Sequence, residues 1–149
     1  RMPYQPQYGT TGGAECVSGA PNEIWSYGDE VYEICRKYIE LREAMRPYIR
    51  SLMEAAHEKG TPIMRPLFYD FPEDKICWDN ESQYMFGPDI LVAPVMERGQ
   101  KTKEVYLPKG YTWTNPWTKE SFEGGQTVTV ETPLEQIPLF TKGEFKLEV

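Results

Sequence analysis

From Asp29 to Lys59 the apolar residues return every three or four positions, and at Gly60 that rhythm stops. Val31, Ile34, Cys35, Tyr38, Leu41, Met45, Tyr48, Ile49, Leu52, Met53 and Ala56 fall at helical spacing, with Glu33, Arg36, Lys37, Glu40, Glu43, Arg50 and Glu54 on the opposite face. At 1.5 Å per residue such a helix is about 45 Å long. It cannot bury its own apolar stripe, so a chain built on it needs a sheet or other helices beside it. Ile34, Tyr38, Met45, Ile49 and Leu52 are the residues expected to point inward. Ser26 or Asp29 can cap the start, Glu33 and Lys37 stand at i and i+4, and Gly60 followed by Pro62 is a natural stop. Pro47 removes one N–H and disfavours helical geometry at Arg46. A kink or two abutting helices is therefore expected at Arg46-Pro47.

Beyond Gly60 the prolines in Thr61-Pro62-Ile63-Met64-Arg65-Pro66-Leu67-Phe68 and Phe71-Pro72 forbid a continuous helix. From Met85 onward the pattern is that of strands. Ile90 to Val95 reads as a buried strand, Glu104 to Leu107 stops at Pro108-Lys109-Gly110, and Tyr111 to Thr114 stops at Asn115-Pro116. Gln126 to Glu131 alternates, with Val128 and Val130 on one face and Thr127 and Thr129 on the other. Ile137 to Phe140 and Glu144 to Val149 flank Lys142-Gly143. Short strands at these intervals predict a small antiparallel β-sandwich or barrel. A boundary is expected near Asp79 to Gln83. The opening stretch, Arg1 to Gly28, has neither period and reads as loop.

Composition narrows the function classes. Sixteen Lys and Arg against 23 Asp and Glu leave a formal net charge of −7, the wrong sign for a nucleic-acid surface. The longest aliphatic run, Ile90 to Ala93, ends at Pro94, far short of the ~20 residues a membrane-spanning helix needs. Arg1 to Pro6 has no apolar core of a signal peptide, and Cys16, Cys35 and Cys77 form neither a disulfide framework nor a CxxC pair, so a reducing, cytoplasmic setting is expected. One histidine and scattered cysteines predict no metal site, and no cofactor motif is present. The 149 residues are too few for a complete (β/α)8 barrel, which typically takes about 250.

Acidic residues are plentiful, so a carboxylate pair is weak evidence for catalysis. Asp70, Glu73, Asp74 and Asp79 form the densest group outside the helix; an acid/base pair is one reading, solvated loop charges beside Pro72 the preferred one. Asp89, after Gly87-Pro88, reads as a turn residue. His57 sits where the last helical turn is expected and is read as facing the dipole and water, and Cys35, on the apolar stripe, reads as core. Arg65, between Met64 and Pro66, is expected to be partly buried and paired with a carboxylate or with carbonyls. The aromatics suggest a second idea. Trp113 or Trp117 could stack on sugar rings in a carbohydrate-binding module, although packing is the expected role of both, as of Trp25, and Trp113 should be mostly buried.

Several motifs in order resemble one family. Arg46-Pro47-Tyr48-Ile49, Gly60-Thr61-Pro62-Ile63-Met64-Arg65-Pro66-Leu67 and Phe71-Pro72-Glu73-Asp74 are followed by Gln83-Tyr84-Met85-Phe86-Gly87, Leu91-Val92-Ala93-Pro94-Val95 and Tyr106-Leu107-Pro108-Lys109-Gly110 with Trp113. Together, across roughly Ile24 to Lys142, they are similar to the end of family 31 glycoside hydrolases, the α-glucosidases and α-xylosidases. The resemblance implies an α+β fragment: the last helical part of a (β/α)8 barrel in residues 1–82, then a proximal antiparallel β-sandwich in 83–149. It implies a retaining α-glycosidase acting on oligosaccharides through an aspartate nucleophile and an aspartate acid/base, both on barrel strands before Arg1. No position here matches either motif, so no catalytic or substrate-binding residue is carried over. Phe68-Tyr69-Asp70-Phe71-Pro72 and Cys77-Trp78 lean toward α-xylosidases, with α-glucosidases as the alternative. Where family members often read Arg-x-His-Gly, this chain has Arg1-Met2-Pro3-Tyr4, a departure at a face whose loops shape the substrate pocket. A segment of this kind is expected to be inactive alone and to self-associate through its under-covered helix face.

Overall fold

The computed structural model describes residues 23–149, which divide into two units between Met45 and Arg46. The loop reading of Arg1 to Gly28 lies mostly outside the described residues, as do Cys16 and Arg1-Met2-Pro3-Tyr4.

The first unit contributes a 3-10 turn at Ile24–Tyr27 and helix α1 (Asp29–Ala44). Gly28, at φ 90°, takes the N-cap position with no side-chain bond, so neither Ser26 nor Asp29 caps the helix as the sequence suggested. Asp29 and Glu30 in the first turn and Arg42 in the last complement the helix dipole. Arg36 reaches Glu40 at 2.9 Å and Glu33 at 3.6 Å along one exposed face. No residue of α1 is fully buried; Ile34 and Tyr38 are half-buried. Within its own unit, among the described residues, α1 packs only against the Ile24–Tyr27 turn, too small a surface to cover the stripe.

The second unit opens with α2 (Arg46–Lys59). The long helix therefore breaks where Pro47 predicts it, at Met45, whose N–H closes α1 onto the Leu41 carbonyl. Pro47 then lies in the first turn of α2, where a missing N–H breaks no bond. Gly60, at φ 67°, stops α2 and donates to the Ala56 carbonyl at 3.0 Å. Leu52 is buried, while Met45 and Ile49 reach only half-burial.

The rest is antiparallel sheet. Strand β1 (Met64–Pro66) leads into the one-turn helix α3 (Leu67–Asp70) and a 3-10 turn at Lys75–Cys77. Strands β2 (Tyr84–Phe86), β3 (Ile90–Val92), β4 (Thr102–Leu107), β5 (Thr112–Thr114), β6 (Ser121–Glu123), β7 (Gln126–Glu131) and β8 (Leu139–Lys142) follow. One sheet has the order β1-β2-β3-β8-β5-β6, and β4 pairs with β7 in a second. A shared core of Leu67, Phe71, Met85, Leu91, Val105, Leu107, Trp113, Val128 and Phe140 fills the space between them, as in a small sandwich.

Val128 is buried and Val130 packs on the core while Thr127 and Thr129 are exposed, as the alternation requires. Two strand readings change. The sheet starts upstream of Met85, because β1 pairs Arg65 with Met85. And Glu144 to Val149 forms no strand: β8 lies between β3 and β5, so a chain turning back at Gly143 finds both of its edges taken.

Candidate functional site

The acidic stretch does not behave as one group. Glu73 and Asp79 are exposed, as loop charges should be, but Asp70 and Asp74 are not. Asp74 caps the Lys75–Cys77 turn, its Oδ1 accepting from the Ile76 N–H at 3.3 Å. Its Oδ2 accepts from the Tyr106 hydroxyl at 2.6 Å and from the Lys109 N–H at 3.2 Å. Burial pushes this carboxyl upward, but the three donors outweigh it and leave the group below the usual carboxylate range. Tyr106 is raised above the ordinary phenol range, by burial first and then by the Asp74 carboxylate. Cys77, buried beside them, is pushed up to about 12 by burial and by the Asp74 charge, which leaves an inert thiol.

Asp70 answers Arg65. The buried guanidinium donates from Nε to the Pro62 carbonyl at 2.7 Å and from a terminal nitrogen to Asp70 Oδ1 at 2.9 Å, with the Tyr69 ring 5.4 Å away. This is the structural pairing expected of Arg65. Asp70 Oδ2 is buried with no hydrogen-bond partner among the described residues.

Asp89 is the turn residue its position suggested, and it has a partner across the fold. The Tyr48 hydroxyl lies 3.2 Å from both Asp89 Oδ2 and the Phe86 carbonyl, one donor shared between two acceptors. Burial, then the Asp89 charge, raises Tyr48 above the ordinary phenol range. His57 is exposed in the last turn of α2. Cys35 is a half-buried free thiol.

The tryptophans separate. Trp113 is fully buried and donates to the Pro108 carbonyl at 2.9 Å, so it is no sugar platform. Trp117 lines a cavity of 420 Å³ beside Glu120, Phe122 and Glu131. Its indole N–H bonds the Ile137 carbonyl at 2.8 Å, and the Asn115 carboxamide accepts from the Trp117 N–H at 2.9 Å. Those polar groups hold the loop together. Trp25 is exposed at the start of the first unit.

The sequence had no local signal for two of these links. Tyr106 lies 32 residues from Asp74, and Gln83 completes the cluster by accepting from the Tyr106 N–H and donating to its carbonyl, both at 2.9 Å. Gln83 thus stands in for a strand neighbour of β4. Among the described residues no three His, Cys, Asp or Glu side chains gather as a metal ion would need. Asp70, Asp74 and Asp89 are each hydrogen-bonded to groups of the scaffold.

The family described as Glycosyl hydrolase family 31 C-terminal domain matches residues 60–145. An alpha-xylosidase of Saccharolobus solfataricus is 44% identical over 122 residues, covering 82% of this chain and 17% of that protein. Alpha-glucosidase 2 of Bacillus thermoamyloliquefaciens is 38% identical over 120 residues, 80% of this chain and 15% of the relative. A crystal structure of a family 31 alpha-xylosidase from a soil metagenome, complexed with xylose, superposes with a TM-score of 0.86 at 47% identity, over 99% of this chain and 22% of that one. The chain spans about a sixth of the length of these two named relatives. With its motifs folded into one core and its match in both sequence and structure, the chain belongs to glycoside hydrolase family 31, of which it carries the C-terminal domain.

Proposed function

We propose that this chain is the C-terminal portion of a retaining α-glycosidase that hydrolyses α-xylosidic or α-glucosidic bonds in oligosaccharides. The observation that carries the reading is the run of alpha-xylosidase and alpha-glucosidase relatives matched over about four fifths of the chain. In this reading residues 1–82 complete the end of a (β/α)8 barrel and 83–149 are the proximal sandwich. The two catalytic aspartates stand on barrel strands upstream. The chain's own part is to brace the barrel, and no residue of it is assigned to catalysis, substrate or metal. Retaining hydrolysis needs two carboxyls about 5–5.5 Å apart across the scissile bond. The bonded states of Asp70, Asp74 and Asp89 leave none of them free for that work. The half-buried stripe of α1 fits a segment that self-associates when separated from its barrel.

The test has two arms. The full reading frame should encode a barrel with two catalytic aspartates before Arg1, and its product should cleave aryl α-xylosides or α-glucosides. The purified 149-residue chain should cleave neither. Turnover by the short chain that disappears in Asp70→Asn, Glu73→Gln, Asp74→Asn or Asp79→Asn would overturn the reading.

A further inference from the structure

The 420 Å³ cavity beside Trp117 opens where the two sheets part. β6 is the last strand of the larger sheet, and β7 belongs to the two-stranded one. Phe122 of β6 and Val130 and Glu131 of β7 line the cavity, with the loop after β5 and the β7–β8 connection closing its ends. The volume lies within the range of about 300–1,000 Å³ for small-molecule sites. Its lining divides by chemistry. Trp117, Phe122 and Val130 are half-buried and apolar, while Glu120 and Glu131 are exposed carboxylates. Gln136 adds a carboxamide that both donates and accepts. The indole of Trp117 is fixed, because its N–H is tied to the Ile137 carbonyl at 2.8 Å, so the cavity meets the carbon ring and not the polar atom. Glu120 is oriented as well. The Thr118 hydroxyl donates to its Oε2 at 3.2 Å, and a carboxylate accepts on both oxygens.

We propose that this cleft binds a neutral sugar of the gluco or xylo series, one pyranose face against Trp117 and neighbouring hydroxyls on the carboxylates of Glu120 and Glu131. The functional reading assigns the chain no sugar contact, and the inference rests on it only for the class of sugar. A pyranose has the matching division. Its C–H face is apolar and weakly electropositive, and an indole face carries the negative side of the ring quadrupole. Its rim is a set of hydroxyls, which donate charge-assisted bonds to carboxylates and need such acceptors when taken out of water. The lining disfavours other ligands. Among the described residues, Glu120 and Glu131 are the only charged groups that line the cleft, and they repel phosphates and carboxylates. Among those residues no third His, Cys, Asp or Glu joins them to hold a metal ion. A lysine or arginine side chain is the nearest competitor. It has donors only and offers no acceptor to the Gln136 amide N–H, which a sugar hydroxyl supplies.

The experiment is fluorine NMR of the full-length enzyme labelled with fluorotryptophan, the Trp117 resonance being assigned by its loss in Trp117→Phe. D-Xylose and D-glucose are the probes, since neither has a glycosidic bond to cleave. The resonance should shift and saturate in the mM range, the affinity expected of so small a ligand. Glu131→Gln is an exposed change and should weaken the titration about tenfold, the loss of a charge-assisted bond. A glucose phosphate should titrate about tenfold more weakly than glucose. A resonance that fails to saturate by about 100 mM would overturn the proposal, as would Glu131→Gln or the phosphate titrating like the parent with glucose. Equilibrium dialysis with xylose needs no assignment: the amount bound should drop in Glu131→Gln, and an unchanged amount would overturn the proposal too. A tetralysine peptide that shifts the resonance at lower concentration than either sugar would assign the cleft to a basic peptide and overturn it equally. A full-length protein without glycosidase activity would refute the functional reading, whereas an active glycosidase whose Trp117 resonance ignores both sugars refutes this inference alone.

Discussion

Gly87 should tolerate replacement poorly. It sits at φ 63° in the turn between β2 and β3, directly beneath α2. A Cβ built there runs into the Tyr48 hydroxyl and stands 2.8 and 2.9 Å from the two Leu52 methyl groups. The methyl groups can swing aside. The hydroxyl is less free, because Phe86 and Asp89 hold it. Left-handed backbone alone costs an alanine about 1–2 kcal/mol. Forcing a methyl into a filled space adds about 1–3 kcal/mol, so Gly87→Ala should lose about 2–5 kcal/mol. Gly143 provides the control, with φ 60° and nothing within 4 Å of its built Cβ, so Gly143→Ala should show the backbone part only. Equilibrium urea unfolding of the two variants, read at constant m-value, measures the difference. Repeating Gly87→Ala in a Tyr48→Phe background should recover part of the steric loss as a coupling energy of about 0.5–3 kcal/mol. If Gly87→Ala and Gly143→Ala lose the same stability, the close packing of α2 on the β2–β3 turn is not what the contacts indicate.

Other outcomes follow from the bonded clusters. Tyr106→Phe should cost about 1.5–3 kcal/mol by urea unfolding, the range for a hydrogen bond to a charged group. Because the folded Asp74 carboxyl lies below its unfolded value, its contribution is full above the unfolded pKa of about 3.9 and is lost as pH falls through the folded one. An acid titration of Asp74→Asn should therefore fall less steeply than that of the parent below about pH 4. Arg65→Met leaves the Asp70 carboxylate buried and unpaired and should cost about 3–5 kcal/mol, while Arg65→Met with Asp70→Asn should regain part of it. Cys77, with its thiol at about 12, should resist a thiol reagent at neutral pH until the chain unfolds, as mass spectrometry of the labelled peptide would show.

What could be read from the amino-acid order was whatever repeats locally. The stripe from Asp29 to Lys59, its break beside Pro47, its stop at Gly60 and the alternation over Gln126 to Glu131 each depend on neighbours a few positions away. So does the pairing of Arg65, whose partners Pro62 and Asp70 lie within five residues. The family motifs were legible too, although their meaning was not: Arg65, Leu67, Phe71, Gln83, Met85, Tyr106, Leu107 and Trp113 are scattered in sequence and are all buried in the structure. Tertiary structure alone decided that Asp74 is a buried cap and not a solvated loop charge, because its strongest donor arrives from 32 residues away. It decided that three residues holding a proline, Met64 to Pro66, become an edge strand, because β2 presents a free edge beside them. It also placed β8 between β3 and β5 and so denied Glu144 to Val149 a strand. A period is written in adjacent residues, whereas a sheet neighbour or a buried donor is chosen by closing a long loop, and no local pattern encodes which loop closes.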